Sequence, residues 1–240
     1  MVTGASRGIG RAIARKLASG GADVAAVYYL SHDGAEEISS EVRAMGRKAV
    51  VLQANVASPE SVAEALEAFR RDFDRLDILV SNAASGVLRP AMELSLKHWR
   101  WCMETNALAL NLLVQAAASL LVEGSRIIAI SSLGARRAMP GYAFVGASKA
   151  ALEALVRSLA QELGPRGIAV NAVSAGVVDT DALRAFPDRE VMLREFERRA
   201  PGGALSPETV ADAVYLLTLP EASRITGHTL VVDGGYSISG

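Results

Sequence analysis

A doubly wound parallel α/β sheet with helices on both faces is the fold class this sequence predicts, and three observations carry it. Short apolar runs alternate with helix-length amphipathic segments along the 240 residues. The runs are apolar throughout rather than alternating with polar residues, as parallel strands buried on both faces require. A glycine-rich turn, Thr3-Gly4-Ala5-Ser6-Arg7-Gly8-Ile9-Gly10, opens the first helical segment.

The first strand is the shortest. Only Met1, Val2 and Thr3 precede Gly4, whereas a strand normally has about five or six residues. Either this strand is a stub or the chain begins a few residues upstream. Further strands are predicted at Asp23–Tyr29, Ala49–Gln53, Leu76–Ser81, Arg126–Ser131, Ile168–Val173 and Thr229–Asp233. Ser58-Pro59-Glu60 and Ser206-Pro207-Glu208 each place a capping serine before a proline at the first helical position. Gly20-Gly21 and Gly124 fit helix ends. Lys97–Ala118 and Tyr142–Leu163 read as long helices. No linker, repeat or low-complexity stretch divides the chain, so residues 1–240 read as a single Rossmann-type domain.

Composition narrows the function classes. Half the residues are apolar, and 25 Lys plus Arg balance 26 Asp plus Glu. That balance gives no electrostatic reason to expect nucleic acid or an anionic membrane as partner. No apolar run has the length of a bilayer span, and no signal peptide precedes the first motif. The single cysteine, Cys102, cannot form an intrachain disulfide, so a reducing cytoplasm is the expected compartment. Cys102 reads as a small core residue on a helix. His32, His98 and His228 have no metal-like spacing, and no metal is expected.

The glycine-rich turn lets the backbone approach a pyrophosphate seated on the positive end of the first helix. An acid at the end of the second strand would bond ribose hydroxyls and select NAD, but Val27-Tyr28-Tyr29-Leu30-Ser31-His32 contains none. Arg7 in the phosphate loop could pair with a 2′-phosphate, with Ser31 and His32 adding donors. NADPH is therefore the expected cofactor. The alternative is that Arg7 is solvated surface.

The segment Gly141-Tyr142-Ala143-Phe144-Val145-Gly146-Ala147-Ser148-Lys149 carries the most specific signal. A Tyr four residues before Lys149 would suggest a carbonyl-reducing dehydrogenase, but that position is Val145, and the Tyr stands seven before. On a helix, seven residues turn through about 700°, so Tyr142 and Lys149 would share a face roughly 10 Å apart along the axis. A phenol displaced in this way would touch an oxygen further from the carbon that takes a hydride. The spacing resembles that of the enoyl-thioester reductases, which implies a 2-enoyl thioester as substrate, with hydride going to C3 and charge appearing on the C1 carbonyl oxygen.

Over essentially its whole length the chain resembles the short-chain dehydrogenase/reductase family. The resemblance rests on Thr3-Gly4 through Gly8-Ile9-Gly10, Asn82-Ala83-Ala84, Asn106, Ser131-Ser132, Lys149, and Asn171 through Gly176 to Thr180. The Tyr142–Lys149 spacing, Ser174-Ala175-Gly176 and the Ser131–Pro140 segment are similar to the divergent enoyl-thioester reductase branch. Ser81–Pro90 and Asp179–Leu183 resemble the third, NADPH-dependent class of bacterial enoyl-acyl-carrier-protein reductase. The resemblance implies roles. Gly4, Ser6, Arg7, Gly8 and Ile9 would hold the pyrophosphate and 2′-phosphate side, with Asn55 and Val56 beside the adenine. Asn82 and Ala83 would lie along the cofactor, Lys149 on the nicotinamide ribose, and Gly176, Val178 and Thr180 near the carboxamide. Tyr142 would be the proton donor or enolate ligand, Ser132 occupies the family's catalytic serine position, and Asn106 would brace the active-site helix. The family's usual assembly also implies a homotetramer packed through the two long helices.

Trp99 and Trp101 read as core or subunit packing rather than substrate stacking. Asp179–Phe186 follows the sixth strand at the sheet's carboxyl edge, a position for a substrate lid in which Leu183 and Phe186 would suit an acyl chain or serve as packing. The expected substrate is an acyl thioester, on coenzyme A or on a carrier protein. Two competing functions remain open: a 3-ketoacyl or ketone reductase with Tyr142 in an unusual pose, and a dinucleotide-binding sensor without turnover.

Overall fold

The computed structural model describes residues 1–180, 183 and 189–239. Seven strands form one parallel sheet in the order β3-β2-β1-β4-β5-β6-β7. They are β1 (Val2–Thr3), β2 (Val24–Tyr28), β3 (Ala49–Gln53), β4 (Ile78–Ser81), β5 (Arg126–Ser132), β6 (Ala169–Ala175) and β7 (Thr229–Val232). The helices are α1 (Gly8–Ser19), α2 (His32–Ala44), α3 (Pro59–Arg70), α4 (Leu96–Met103), α5 (Ala109–Ala117), α6 (Ala143–Leu163), α7 (Arg189–Arg199) and α8 (Pro207–Thr218). Apolar residues of α3, α5 and α6, such as Leu66, Leu113 and Val156, cover one face of the sheet. Those of α1, α2 and α8, such as Ile13, Ile38 and Val214, cover the other. Burial on both faces is why the strands read as unbroken apolar runs.

The two predicted serine caps form. Ser58 accepts from the Ser61 N–H at 3.2 Å and Ser206 from the Thr209 N–H at 3.3 Å, each with a proline opening the helix. Gly20 ends α1 as expected, but Gly124 ends no helix. Helix α5 stops at Ala117, and Gly124 instead makes the turn into β5, donating its N–H to Gly167 O. β1 is a two-residue stub whose neighbours nonetheless bond to it: Val2 pairs with Ala26 on one side and Val80 on the other. The segment read as one long helix is α4 and α5 joined by a π-turn at Glu104–Leu108.

The winding direction reverses between β1 and β4. In such sheets the loops at the strand carboxyl ends splay apart there and leave a crevice.

Candidate active site

The cleft at that edge is lined by residues that follow the strands directly. They include Gly4, Ser6, Arg7, Gly8 and Ile9 after β1, Ser31 after β2, and Asn55 and Val56 after β3. Asn82 and Ala83 follow β4, Ser132 ends β5, and Gly176, Val178 and Thr180 follow β6. Tyr142 and Lys149 complete it. Every site residue expected from sequence therefore lines one cleft, with Asn106 the exception.

The phosphate loop is built from backbone. Thr3 is fully buried, and its Oγ1 accepts the N–H groups of Asn82 at 2.9 Å and Ala83 at 3.0 Å. The Asn82 amide returns donors to Thr3 O at 2.9 Å and Gly4 O at 3.3 Å. Asn82 thus clamps the turn from below while also lining the cleft. Gly4 has φ +65°, and a Cβ at Gly10 would overlap Gly4 O, so the helix start fits under the turn only without side chains. The first turn of α1 contains no acid, and its N-cap, Arg7, makes no side-chain capping bond. Free N–H groups at a helix N-terminus, next to an exposed guanidinium, form a place for phosphate. The β2 end presents Tyr28, Tyr29, Leu30, Ser31 and His32, and the first carboxylate after the strand, Asp33, stands in the first turn of α2. These residues fit a phosphorylated dinucleotide.

Asn55 lines the cleft and also shapes the loop that follows β3. Its Oδ1 accepts the Ala57 N–H at 3.1 Å and its own N–H donates to Ser61 Oγ at 3.0 Å, a local turn that sets Val56 against the cleft. Across the cleft, a Cβ built on Gly8 would lie 3.5 Å from Thr180 Cγ2, so the β6 loop closes over the phosphate turn. Gly176 leaves room for the Phe196 ring, 2.7 Å from where a Cβ would stand. Leu183 lines the cleft, whereas Phe186 lies outside the described residues.

The reacting end departs from the helical picture. Tyr142 is not on α6 but is its N-cap, at φ −108° and ψ 10°. Its carbonyl accepts the first helical bond, from the Gly146 N–H at 2.7 Å, while its ring packs against the Gly134 turn. Tyr142 Oη donates to Ser132 Oγ at 3.2 Å, and Ser132 Oγ also accepts the Gly134 N–H at 3.2 Å. Burial pushes the Tyr142 phenol above its ordinary range, and the Ser132 bond partly offsets this. Lys149 is buried and donates from Nζ to Ile130 O at 2.7 Å, and burial brings its pKa down to about 8.

Position 145 faces elsewhere. Val145 is buried, and a Cβ on Gly86 would overlap its Cγ2. The position four before Lys149 is thus covered by the 85–87 loop and does not line the cleft. Asn106 stands behind the wall, within the π-turn. It donates to Ser85 O at 2.8 Å and to Ser148 Oγ at 2.9 Å, and accepts the Ser85 N–H at 2.8 Å. It braces α6 directly, joining it to the 82–95 loop. Inserting a residue into a helix turns a buried amide inward, and such π-turns recur at functional sites.

Trp99 and Trp101 are both outside the subunit core. Trp99 meets Phe144 edge-on at 5.2 Å, and Trp101 is half exposed and borders the cleft. Cys102 is fully buried on α4, with its thiol pushed up by burial, as a core residue should be. Sequence reasoning missed Gly134, Gly146 and Glu153. A Cβ on Gly134 would overlap the Tyr142 ring, and one on Gly146 would stand 2.6 Å from Gly134 O. The signal was present as two glycines flanking a tyrosine.

The family model described as "Enoyl-(Acyl carrier protein) reductase" matches residues 4–237. The chain belongs to the short-chain dehydrogenase/reductase family. It is 38% identical over 244 residues to the 1-cyclohexenylcarbonyl-CoA reductase of Streptomyces collinus, across 99% of this chain and 86% of that protein. It is 39% identical over 241 residues to the 3-oxoacyl-[acyl-carrier-protein] reductase FabG of Escherichia coli K12, across 98% of this chain and 95% of that protein. A short-chain dehydrogenase of Burkholderia cenocepacia J2315, solved in complex with NADP, superposes with a TM-score of 0.90 at 38% identity, over 98% of this chain and 96% of that one. As a member of this family the protein is an oxidoreductase. No helix among the described residues is long and apolar enough to cross a membrane.

Proposed function

We propose that this oxidoreductase uses NADPH to reduce the 2,3 double bond of an enoyl thioester. The observation that carries the reading is the cleft-facing hydroxyl pair of Tyr142 and Ser132, combined with Val145 lying buried beneath Gly86. In this reading Tyr142 is the donor to a displaced oxygen, and the side chain four before Lys149 is packed against Gly86. Bound NADPH supplies a hydride to C3 of the acyl chain. Tyr142 turns its proton from Ser132 Oγ toward the C1 carbonyl oxygen, where the enolate charge develops, and the enolate becomes the saturated thioester by taking a proton from water at C2. Ser132, still held by the Gly134 N–H, turns its own proton to Tyr142 Oη and supports that donor. Lys149 holds the ribose and adds positive charge at the same end. Asn106 keeps α6 and the 82–95 loop in register.

NADPH is favoured over NADH by exposed Arg7 and because no carboxylate stands between the end of β2 and Asp33 on α2. The acyl group is presented on coenzyme A or a carrier protein, in keeping with the relatives' names. A reducing cytoplasm suits a chain whose one cysteine is a buried thiol. Residues 1–240 act as one domain, with no metal, nucleic acid or membrane partner. A second reading, reduction of a 3-ketoacyl thioester, is favoured by the 39% identity to FabG, against 38% to the cyclohexenylcarbonyl-CoA reductase, and by the Ser132–Tyr142 pair itself.

A spectrophotometric panel separates them. NADPH oxidation is expected to be far faster with a 2-enoyl thioester than with the 3-keto thioester of equal length, and faster with NADPH than with NADH. Faster turnover of the keto compound would transfer the assignment to the second reading. No oxidation with either would leave a binding protein without turnover.

The assembly is a homotetramer in this reading. Trp99, Trp101 and Leu108 leave an exposed apolar surface along α4 and the π-turn that a partner helix would cover. Light scattering at micromolar concentration should give the mass of four chains, and a sharp monomer peak would refute it.

A further inference from the structure

One buried charge stands apart from the cleft lining. Glu153 lies on α6 one turn beyond Lys149 and is 4% exposed. Its Oε1 accepts from Ser131 Oγ at 2.8 Å, and its Oε2 accepts from Arg136 Nε at 2.9 Å. The Arg136 side chain is 55% exposed. Burying a carboxylate is costly unless it is paired, and an apolar residue would fill this face of α6 more cheaply. The pairing therefore asks what the two partners have in common.

Both lead to Tyr142. Ser131 precedes Ser132 in β5, so fixing its hydroxyl to α6 fixes the strand end that presents Ser132 Oγ to Tyr142 Oη. Arg136 follows the short 3-10 turn Leu133–Ala135, which contains Gly134. The Gly134 N–H bonds Ser132 Oγ, and its backbone lies against the Tyr142 ring so closely that a Cβ would overlap it. One carboxylate thus ties two supports of one tyrosine to the helix that carries Lys149. Tyr142 caps that helix, its carbonyl accepting the Gly146 N–H at 2.7 Å, but its ring and hydroxyl lie against the β5 end and the 133–136 turn, which the carboxylate ties to the helix.

We propose that Glu153 is a positioning residue that clamps the end of β5, through Ser131, and the 133–136 turn, through Arg136, and thereby fixes the ring and hydroxyl of Tyr142. This inference rests on the reading of Tyr142 as the reacting hydroxyl.

The test uses Glu153→Gln, which keeps an acceptor for Ser131 but removes the charge that holds Arg136, together with Arg136→Ala and Arg136→Lys. Misplacing a reacting group by 1 Å can cost about 100-fold in rate. Glu153→Gln and Arg136→Ala are expected to lower kcat with an enoyl thioester about tenfold or more, up to that bound. The KM for NADPH should not move, and Arg136→Lys should recover most of the rate. An alkaline difference spectrum, with Tyr142→Phe as the blank, should show Tyr142 ionising at higher pH in Glu153→Gln, because a loosened Ser132 bond no longer favours the phenolate. Thermal denaturation and NADPH binding confirm folding. Should Glu153→Gln fail to fold, the two Arg136 variants carry the same comparison. Parent kcat and an unshifted Tyr142 spectrum in Arg136→Ala would overturn the clamp. So would parallel losses of kcat and NADPH affinity that Arg136→Lys does not recover, since those mark general disruption. A Tyr142→Phe enzyme at parent rate would instead sink the proposed function, while the spectral shift would still report on the clamp.

Discussion

Tyr142→Phe is expected to lower turnover of the enoyl thioester by about two orders of magnitude or more, the loss typical of deleting one oxyanion donor. The substitution is well controlled by its surroundings. The ring keeps its slot against the Gly134 backbone, Gly146 still leaves room for Gly134 O, and only the hydroxyl that meets Ser132 Oγ is removed. No cofactor-facing group of the phosphate loop is touched, so NADPH affinity should stay nearly unchanged. Steady-state kinetics with cofactor and substrate varied separately reads both quantities. Val145→Tyr should not restore the rate, since that position lies under Gly86 rather than in the cleft. A Tyr142→Phe enzyme near the parent rate would remove the phenol from the chemistry.

The sheet was legible because burial on both faces writes each strand as an unbroken apolar run. β3 falls at Ala49–Gln53 as read, and β2 and β4 are shorter than read by one or two residues at their ends. β6 extends past the predicted Val173 to Ala175, because Ser174 pairs with Ser131 and Val231 on either side and is buried by its neighbours rather than by its own polarity. The cofactor loop was legible because its glycines answer to backbone geometry, which is local. What could not be read was where local and tertiary forces compete. The 142–149 segment has helical composition, yet the helix begins at Ala143 because Tyr142 is drawn to Ser132 and the Gly134 turn, ten and eight residues earlier in the chain. The π-turn at Glu104–Leu108 leaves no mark in an Ala- and Leu-rich segment, since it is fixed by Asn106 reaching Ser85 and Ser148. Glu153 looks like a solvated helix charge until the strand end and the 133–136 turn close over it.

Lys149→Ala should damage both halves of the reaction, and pH is what separates its contribution from that of Tyr142. Its Nζ is buried and anchored on Ile130 O, facing the cleft beside Ser132. A hydrogen bond from a charged group contributes about 1.5–3 kcal/mol, so losing one to the cofactor ribose should weaken NADPH about tenfold or more. Turnover should fall with it, because the same charge supports the developing enolate. Desolvation has brought the Lys149 pKa from an ordinary 10.5 to about 8. The ammonium is therefore present below about pH 8 and is lost as pH rises through that value. Tyr142 shifts the other way, above its ordinary 10.0, and so remains a protonated donor across the same interval. The first alkaline limb of kcat/KM for NADPH in the free enzyme is therefore expected to be that of Lys149. The parent enzyme should lose activity above about pH 8, and Lys149→Ala should show a low, flat profile through that range. A limb that persists unchanged in Lys149→Ala would assign it to another group and remove the ammonium from the mechanism.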